Sequence, residues 1–226
     1  MAPPRTARSI APVLYHSLSA DRLEDYLAEV PNRDASHAIA LYLWNTEISG
    51  AFWEALAHLE VALRNALAGQ LAARHGRRQR PGSWLDNVAK ELDRRAERDI
   101  GKARARVQMN RKPPSDGQTI SELPFGFWRY LLTKKYASTL WPDVANAFPY
   151  SPDRSLATVE QPVHSLHRFR NRVAHHHRIW TEPLSQRWAD LQALLSYLDP
   201  VLCDWVIFNS RVPAVLKTCP ITRPHP

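Results

Sequence analysis

The chain has 226 residues, of which 44% are hydrophobic and eight are tryptophan, and its formal net charge is +8. This length and apolar content exclude global disorder and favour one sizeable core. Seven glycines are few for a turn-rich all-β fold, and two cysteines exclude a disulfide framework. The basic charge indicates a polyanionic partner, either nucleic acid or an anionic membrane surface.

The first half of the chain predicts three helices behind a flexible arm at residues 1–14. Ser19 is a suitable cap for a short first helix. Apolar residues at steps of three or four predict a long amphipathic helix over 37–73. Ser83 is the expected cap of a third helix, which ends near Asn110.

The second half predicts shorter segments separated by prolines. A helix opens after Pro124, and a short one starts at Trp141. A longer helix over 153–180 and a last core helix over 182–208 follow. Residues 209–226 contain four prolines and predict a tail.

The predicted fold class is therefore all-α: an up-and-down bundle of five to six main helices in a single domain at 15–208. No apolar run reaches the length of a membrane span, and the N-terminus has no signal-peptide block. The sequence predicts a cytoplasmic protein with no membrane partner.

A strongly basic segment covers residues 74–112, with thirteen Lys or Arg against five Asp or Glu. One interpretation of the first part is a solvated helix face with i,i+4 ion pairs such as Glu91 with Arg95. Residues 100–112 contain five basic side chains and no acid, so nothing local offsets their repulsion. We predict that this part contacts RNA phosphates. Its basic residues are Lys102, Arg104, Arg106, Arg111 and Lys112.

The segment from Phe169 to Trp180 carries the candidate chemistry. Within residues 164–178 lie five of the ten histidines and four arginines, with no acid. A histidine exchanges protons near neutral pH, and an arginine holds a phosphate through paired donors. Together they could cleave RNA without a metal, the histidine taking the ribose 2′-hydroxyl proton and the arginine stabilising the phosphorane. Arg172 is assigned as an RNA contact.

The spacing of these residues limits how they can act together. Arg170 and His175 are five residues apart, which on a regular helix turns them about 140° from each other. Either the helix is distorted, or a two-fold dimer brings two copies of the motif into one cleft. Asn171 and His175 are four apart and would share a helix face, where the amide could fix an imidazole tautomer or hold the phosphate.

Two other interpretations stay open. His164, His167 and the triple histidine could hold a metal, but consecutive histidines diverge and no Asp, Glu or Cys stands at ligand spacing, so no metal or cofactor is predicted. The polar residues could also simply face water. Upstream, Glu60 and Arg64 are either an ordinary i,i+4 ion pair or supports for the motif.

Three long segments resemble a known family: LYLWNTEISGAFWEALAHLEVALRNAL at 41–67, LPFGFWRYLLTKKY with a following LW at 123–141, and LHRFRNRVAHHHRIW at 166–180. The last contains the Arg-polar-x3-5-His signature of the HEPN (higher eukaryotes and prokaryotes nucleotide-binding) superfamily. Over about residues 15–206, the chain resembles the Abi-like, abortive-infection family of bacterial proteins.

The resemblance implies a HEPN-type bundle that dimerises and acts as a metal-independent endoribonuclease in phage defence, or as a toxin. Arg170 and His175 would be the catalytic pair and Asn171 their polar partner, while His176 and Arg178 also match the family's pattern. His177 stands where an acid is expected and receives no role. The implied partners are RNA, including a structured RNA or tRNA, a second copy, and an antitoxin or regulatory RNA. Some HEPN proteins only bind RNA, so a non-catalytic module is the alternative.

Overall fold

The structure is a computed structural model that describes residues 7–221, apart from the side chains of 7–9 and 11. The all-α fold class is confirmed, because this part of the chain forms eleven α-helices and no strand. The helices are α1 (Ala7–Leu18), α2 (Ala20–Glu29), α3 (Ala35–Arg77), α4 (Arg94–Met109), α5 (Asp116–Glu122), α6 (Phe125–Leu131), α7 (Trp141–Val144), α8 (Leu156–Ala174), α9 (Leu184–Leu198), α10 (Pro200–Asn209) and α11 (Val212–Leu216). The 3-10 turns are Pro31–Arg33, Trp84–Asp86, Lys134–Tyr136, Ala145–Ala147 and Ile179–Thr181.

The predicted long helix is confirmed as α3, whose 43 residues run slightly past both predicted ends. Its apolar stripe is buried, as the period of three and four residues indicates. The stripe residues exposed by no more than 1% are Leu41, Ile48, Phe52, Leu56, Leu59, Leu63 and Leu67. This helix therefore supplies much of the apolar core.

The helix predicted from Ser83 begins instead at Arg94, as α4. Ser83 does act as a cap, but only of the 3-10 turn at Trp84–Asp86. Asn87 then takes a left-handed conformation with φ 50°, which stops the turn. Asp93 caps α4 with its carboxylate. The sequence contains two valid caps, and the turn ended by Asn87 separates them.

The last core helix, predicted over 182–208, is split into α9 and α10. Pro200 has no backbone N–H and cannot continue the hydrogen-bond ladder of α9. Asp199 lies at the break, where its Oδ1 accepts a bond from Val201 N at 2.8 Å and caps α10. The split accounts for one of the helices beyond the predicted five or six.

Both predicted terminal segments contain helix. Helix α1 begins at Ala7, inside the predicted arm, and α11 lies inside the predicted tail. Val212 and Val215 of α11 are buried, and Trp44 Nε1 donates to Val215 O at 2.9 Å. The remainder of the arm and tail, residues 1–6 and 222–226, lies outside the described residues.

The described chain divides into two compact units. The first unit contains residues up to 54, 172–184 and from 210 onward, and the second contains 55–171 and 185–209. The single domain at 15–208 stays a prediction. Within residues 7–221, no helix combines the length and apolar character needed to cross a bilayer.

Charged side chains around Glu91 form the densest ion-pair network of the second unit. Glu91 pairs with Arg74 at 2.5 Å, Arg78 at 2.9 Å and Arg80 at 2.6 Å, and not with Arg95, as the interpretation of a solvated helix face would have it. Arg74 is buried, with 5% of its side chain exposed, so its charge depends on these partners. Hydrogen bonds from Arg80 and Arg74 outweigh burial and lower the pKa of Glu91 to about 2.

Replacing Glu91 with glutamine is expected to lower the free energy of unfolding by about 3 kcal/mol, because Arg74 loses a charged partner. The folded-state pKa lies below the ordinary value of 4.5, so this stabilisation is fully present above pH 4.5 and is lost as pH falls toward 2. Urea unfolding of both proteins at several pH values measures it. The exposed Asp204→Asn is the control, and an equal loss there would contradict a specific role for Glu91.

Candidate active site

Helix α8 ends at Ala174, well before its predicted end. Past this point His177 N donates to Arg172 O at 2.9 Å, and His176 N donates to Val173 O at 3.0 Å. His176 takes a left-handed conformation with φ 54°. This pair of bonds around a left-handed residue is the Schellman motif, which normally uses glycine at that position. The motif ends the helix inside the histidine run.

His175 therefore lies beyond the last residue of α8. The 140° divergence of Arg170 and His175 and the shared face of Asn171 and His175 both assumed a regular helix through His175. Both stay predictions. Distortion of the helix end was one of the two alternatives that the spacing left open, and the dimer, which was the other, also stays a prediction.

In the second unit, Arg170 pairs with Glu60 across α8 and α3. Arg170 Nε donates to Glu60 Oε1 at 2.6 Å, and the two side chains are 29% and 25% exposed. Glu60 thus pairs with Arg170 rather than with Arg64, whose Nε donates to Asn65 Oδ1 at 3.4 Å. Asn171 is half-buried. The pair orients one candidate catalytic arginine.

In the first unit, the three histidines at 175–177 are exposed along an open cleft of about 480 Å³. The rings of His175 and His177 meet edge to face, with centroids 6.3 Å apart. Arg22 donates to His176 O, and Arg178 pairs with Asp25. From α2, Arg22 thus holds the backbone of the histidine segment, and Asp25 holds the side chain of Arg178 just after it.

Asn45 is a buried α3 residue that the sequence did not single out. It is 4% exposed, and its Oδ1 accepts from Ile179 N at 2.8 Å and Trp180 N at 3.4 Å. Its Nδ2 donates to His177 O at 3.4 Å. One side chain therefore fixes the segment that follows the histidines. An amide inside an apolar stripe is the signal that could have identified it, because a buried amide requires partners.

Replacing Asn45 with alanine is expected to lower the free energy of unfolding by about 2–3 kcal/mol, because it leaves the buried Ile179 N–H without an acceptor. Urea denaturation measures the loss, and hydrogen exchange at Ile179 should become faster. Thr46→Ala is the matched control, since among the described residues that exposed hydroxyl bonds only to Tyr42 O in its own helix. Slow exchange at Ile179 in the Asn45 variant would contradict the anchoring role.

Arg172, the predicted RNA contact next to the motif, binds the segment that follows it. Its guanidinium donates to Arg178 O at 3.2 Å and Thr181 Oγ1 at 3.3 Å, and its Nε lies 3.0 Å from Glu182 Oε1. These contacts stabilise the turn after α8.

The basic stretch at 100–112 is partly neutralised by acids from outside it. The pairs are Arg104 with Asp86 at 2.6 Å, Arg106 with Glu122 at 3.4 Å and Lys112 with Glu122 at 2.8 Å. The expectation that nothing offsets this charge is wrong, because a local count omits acids that folding brings near. Lys102 and Arg111 are exposed, with no ion pair in the described chain.

Within residues 7–221, no three His, Cys, Asp or Glu side chains come together as a metal-ion site would require. His164 and His167 lie on α8 in the second unit, while the triple histidine belongs to the first unit. The predicted alternative metal set is thus divided between the two units.

A family model described as "Abi-like protein" matches residues 15–181, which is well over half of the chain. The chain belongs to the Abi-like protein family. Membership links this Abi-like protein to abortive infection. The match begins at the expected residue and ends at the 3-10 turn after α8, short of the expected residue 206. Comparisons with curated proteins and with solved structures find no match.

The matched segment of this Abi-like protein contains every candidate site residue. It includes Glu60, Arg170 and the histidine segment, together with the anchor Asn45. Helices α9, α10 and α11 lie beyond it. The family signal thus coincides with the part of the chain that carries the candidate chemistry.

Proposed function

We propose that this Abi-like protein is a metal-independent endoribonuclease of the HEPN type, acting in phage defence in a toxin-like manner. His175 removes the ribose 2′-hydroxyl proton, and the oxygen attacks the adjacent phosphorus. Arg170 stabilises the charge on the phosphorane, and Asn171 is the polar partner. The departing 5′-oxygen takes up a proton from water, leaving a cyclic phosphate end.

The ion pair between Arg170 and Glu60, at 2.6 Å, carries this proposal. A cation already fixed before the reaction stabilises developing charge without paying for reorganisation. Arginine is suited to this because its planar donors match phosphate oxygens. His175 is exposed, as contact with a polymeric substrate requires.

The proposal includes a homodimer, and helix α10 offers a surface for it. Val201, Trp205 and Phe208 follow one face of this helix and are 76%, 51% and 88% exposed. Large apolar side chains grouped on a surface mark interaction sites. Light scattering on the purified protein would measure the mass of the assembly.

To test the proposed nuclease directly, the purified protein is incubated with RNA in excess EDTA, and the chemical ends of the products are mapped. Cyclic phosphate ends in EDTA are the expected result. Cleavage that appears only with added divalent metal would contradict the mechanism.

The second candidate is a non-catalytic module that holds a structured RNA. The exposed Lys102 and Arg111 favour it, since neither has an ion pair within residues 7–221. It predicts salt-sensitive RNA binding without product ends.

A further inference from the structure

A second group of basic side chains lies on α4, α6 and α8, within the second unit. We call it the His167 cluster, and it consists of Arg95, Arg129, His164 and His167. None of the four has an acid partner among the described residues, unlike Arg170 one turn further along α8. The proposed function assigns no role to any of them.

Arg129 is the unusual member. It is half-buried, yet within the described chain its side chain makes no hydrogen bond or ion pair. The other buried or half-buried arginines of this unit are each held by a carboxylate or an amide. These are Arg74, Arg80, Arg106, Arg170 and Arg187, paired with acids, and Arg64, bonded to Asn65. A partly desolvated cation without a counter-charge costs stability, which is expected where an anionic ligand supplies the missing charge.

His167 faces the same part of α6. A Cβ built on Gly126 would lie 3.2 Å from His167 Nε2, so a larger residue there would push the imidazole away by a few tenths of an ångström. The ring also meets Phe125 edge to face at 5.6 Å. Arg129 follows Gly126 by three residues and lies on the same side of α6.

The edge of the cluster is formed by Arg95, which stacks over the Tyr130 ring at 4.2 Å. The acid that binds Tyr130 is Asp93, which accepts from Tyr130 Oη at 2.6 Å and pairs with Lys135. The negative charge of Asp93 is therefore already paired with Lys135 and not with Arg95.

A neutral His167 imidazole can donate one hydrogen bond and accept another, which suits a neutral partner beside the arginines of an anion site. Its pKa lies below the usual value, mainly because the ring is partly buried. Nearby basic side chains lower it further, namely Arg129, Arg170, His164 and Arg95. The ring is therefore mostly neutral at neutral pH, and the fixed charge comes from the arginines.

We propose that Arg129 and His167, with Arg95 at the edge, bind a backbone phosphate of RNA next to the phosphate that is cleaved. This inference rests on the proposed function for the choice of RNA as ligand. His167 precedes Arg170 by three residues on α8, so the two lie one helical turn apart on neighbouring positions of one face. When one phosphate of a single-stranded RNA lies at Arg170, the neighbouring phosphate would therefore lie within reach of Arg129 and His167.

The test measures binding separately from cleavage. A fluorescent single-stranded RNA with 2′-O-methyl groups, which cannot be cleaved by 2′-hydroxyl attack, is titrated with wild type and Arg129→Gln at several salt concentrations. We expect about 10-fold weaker binding, with the slope of log affinity against log salt reduced by about 0.7, as for one lost phosphate contact on a single strand. Arg98→Gln, an exposed arginine on α4, is the charge-matched control and should stay within about twofold.

Two further measurements separate a binding role from a structural one. Arg129→Gln should leave the unfolding temperature unchanged or raise it, because it removes an unpaired cation beside other cations. Arg129→Lys keeps the charge and should keep the salt slope while losing the paired donors. Weak binding that comes with a lower unfolding temperature in both variants would overturn the proposal.

Cleavage of unmodified RNA by the same proteins shows which of the two proposals fails, the phosphate site or the nuclease activity. If wild type cleaves and Arg129→Gln binds like wild type, the phosphate site is wrong and the nuclease stands. If nothing is cleaved but binding depends on Arg129, the phosphate site stands and the nuclease is wrong.

Discussion

Replacing His175 with alanine is expected to slow RNA cleavage by about 100- to 10,000-fold, the range observed when a general base is lost. The alanine cannot take the 2′-hydroxyl proton, while the fold around it is retained because the backbone carries the contacts of this turn. Single-turnover cleavage in EDTA measures the rate, and binding of a non-cleavable RNA should change little.

The control for this experiment is His177→Ala, two residues away. The His177 side chain has no assigned role, whereas its backbone N–H bonds to Arg172 O and its carbonyl accepts from Asn45. Alanine retains both backbone contacts, so near wild-type cleavage is expected. Equal losses in the two variants would indicate a damaged loop rather than a missing base.

Replacing Arg170 with lysine should slow cleavage by about 100- to 1,000-fold, the cost of losing one preorganised donor to a developing oxyanion. Lysine keeps the positive charge but lacks the planar donors of the guanidinium. The loss should appear in kcat more than in KM, because the phosphorane exists only in the transition state.

Glu60→Gln tests how the arginine is held. The amide oxygen can still accept from Arg170 Nε, so we expect a smaller loss of about tenfold. Arg168→Ala, an exposed position on the same helix, is the control and should cleave like wild type. A Glu60→Gln variant more active than wild type would contradict positioning, since it would mean that Glu60 withholds the arginine from the substrate.

The sequence predicts elements whose signals are local and repeated. The stripe of α3 extends over many turns, so the pattern identified this helix and most of its core residues. The start of α4 was mispredicted because Ser83 and Asp93 are both good caps, and only the left-handed Asn87 between them separates turn from helix. The end of α8 was missed because a histidine, not a glycine, takes the left-handed position.

In the candidate site, too, the local sequence pattern predicts some features and not others. Its proposed reactive side chains are predicted from the sequence because arginine, amide and histidine stand together there. Their partners were not, since Glu60, Asn45 and Arg22 come from 110 to 154 residues away. The uncompensated charge of the basic stretch at 100–112 was overestimated for a related reason, because Asp86 and Glu122, which pair with it, lie outside the stretch.

The Schellman turn at His176 also determines whether insertions and deletions near His175 disturb the rest of the motif. Inside a helix, one added residue would rotate every following side chain by about 100°. Past Ala174 the backbone is already out of the helix, so an insertion or deletion beside His175 would change the size of a surface loop and leave Arg170 on α8 undisturbed. Such length variants of this chain should fold, and the histidine is then the part of the motif that can drift along the sequence while the arginine stays fixed.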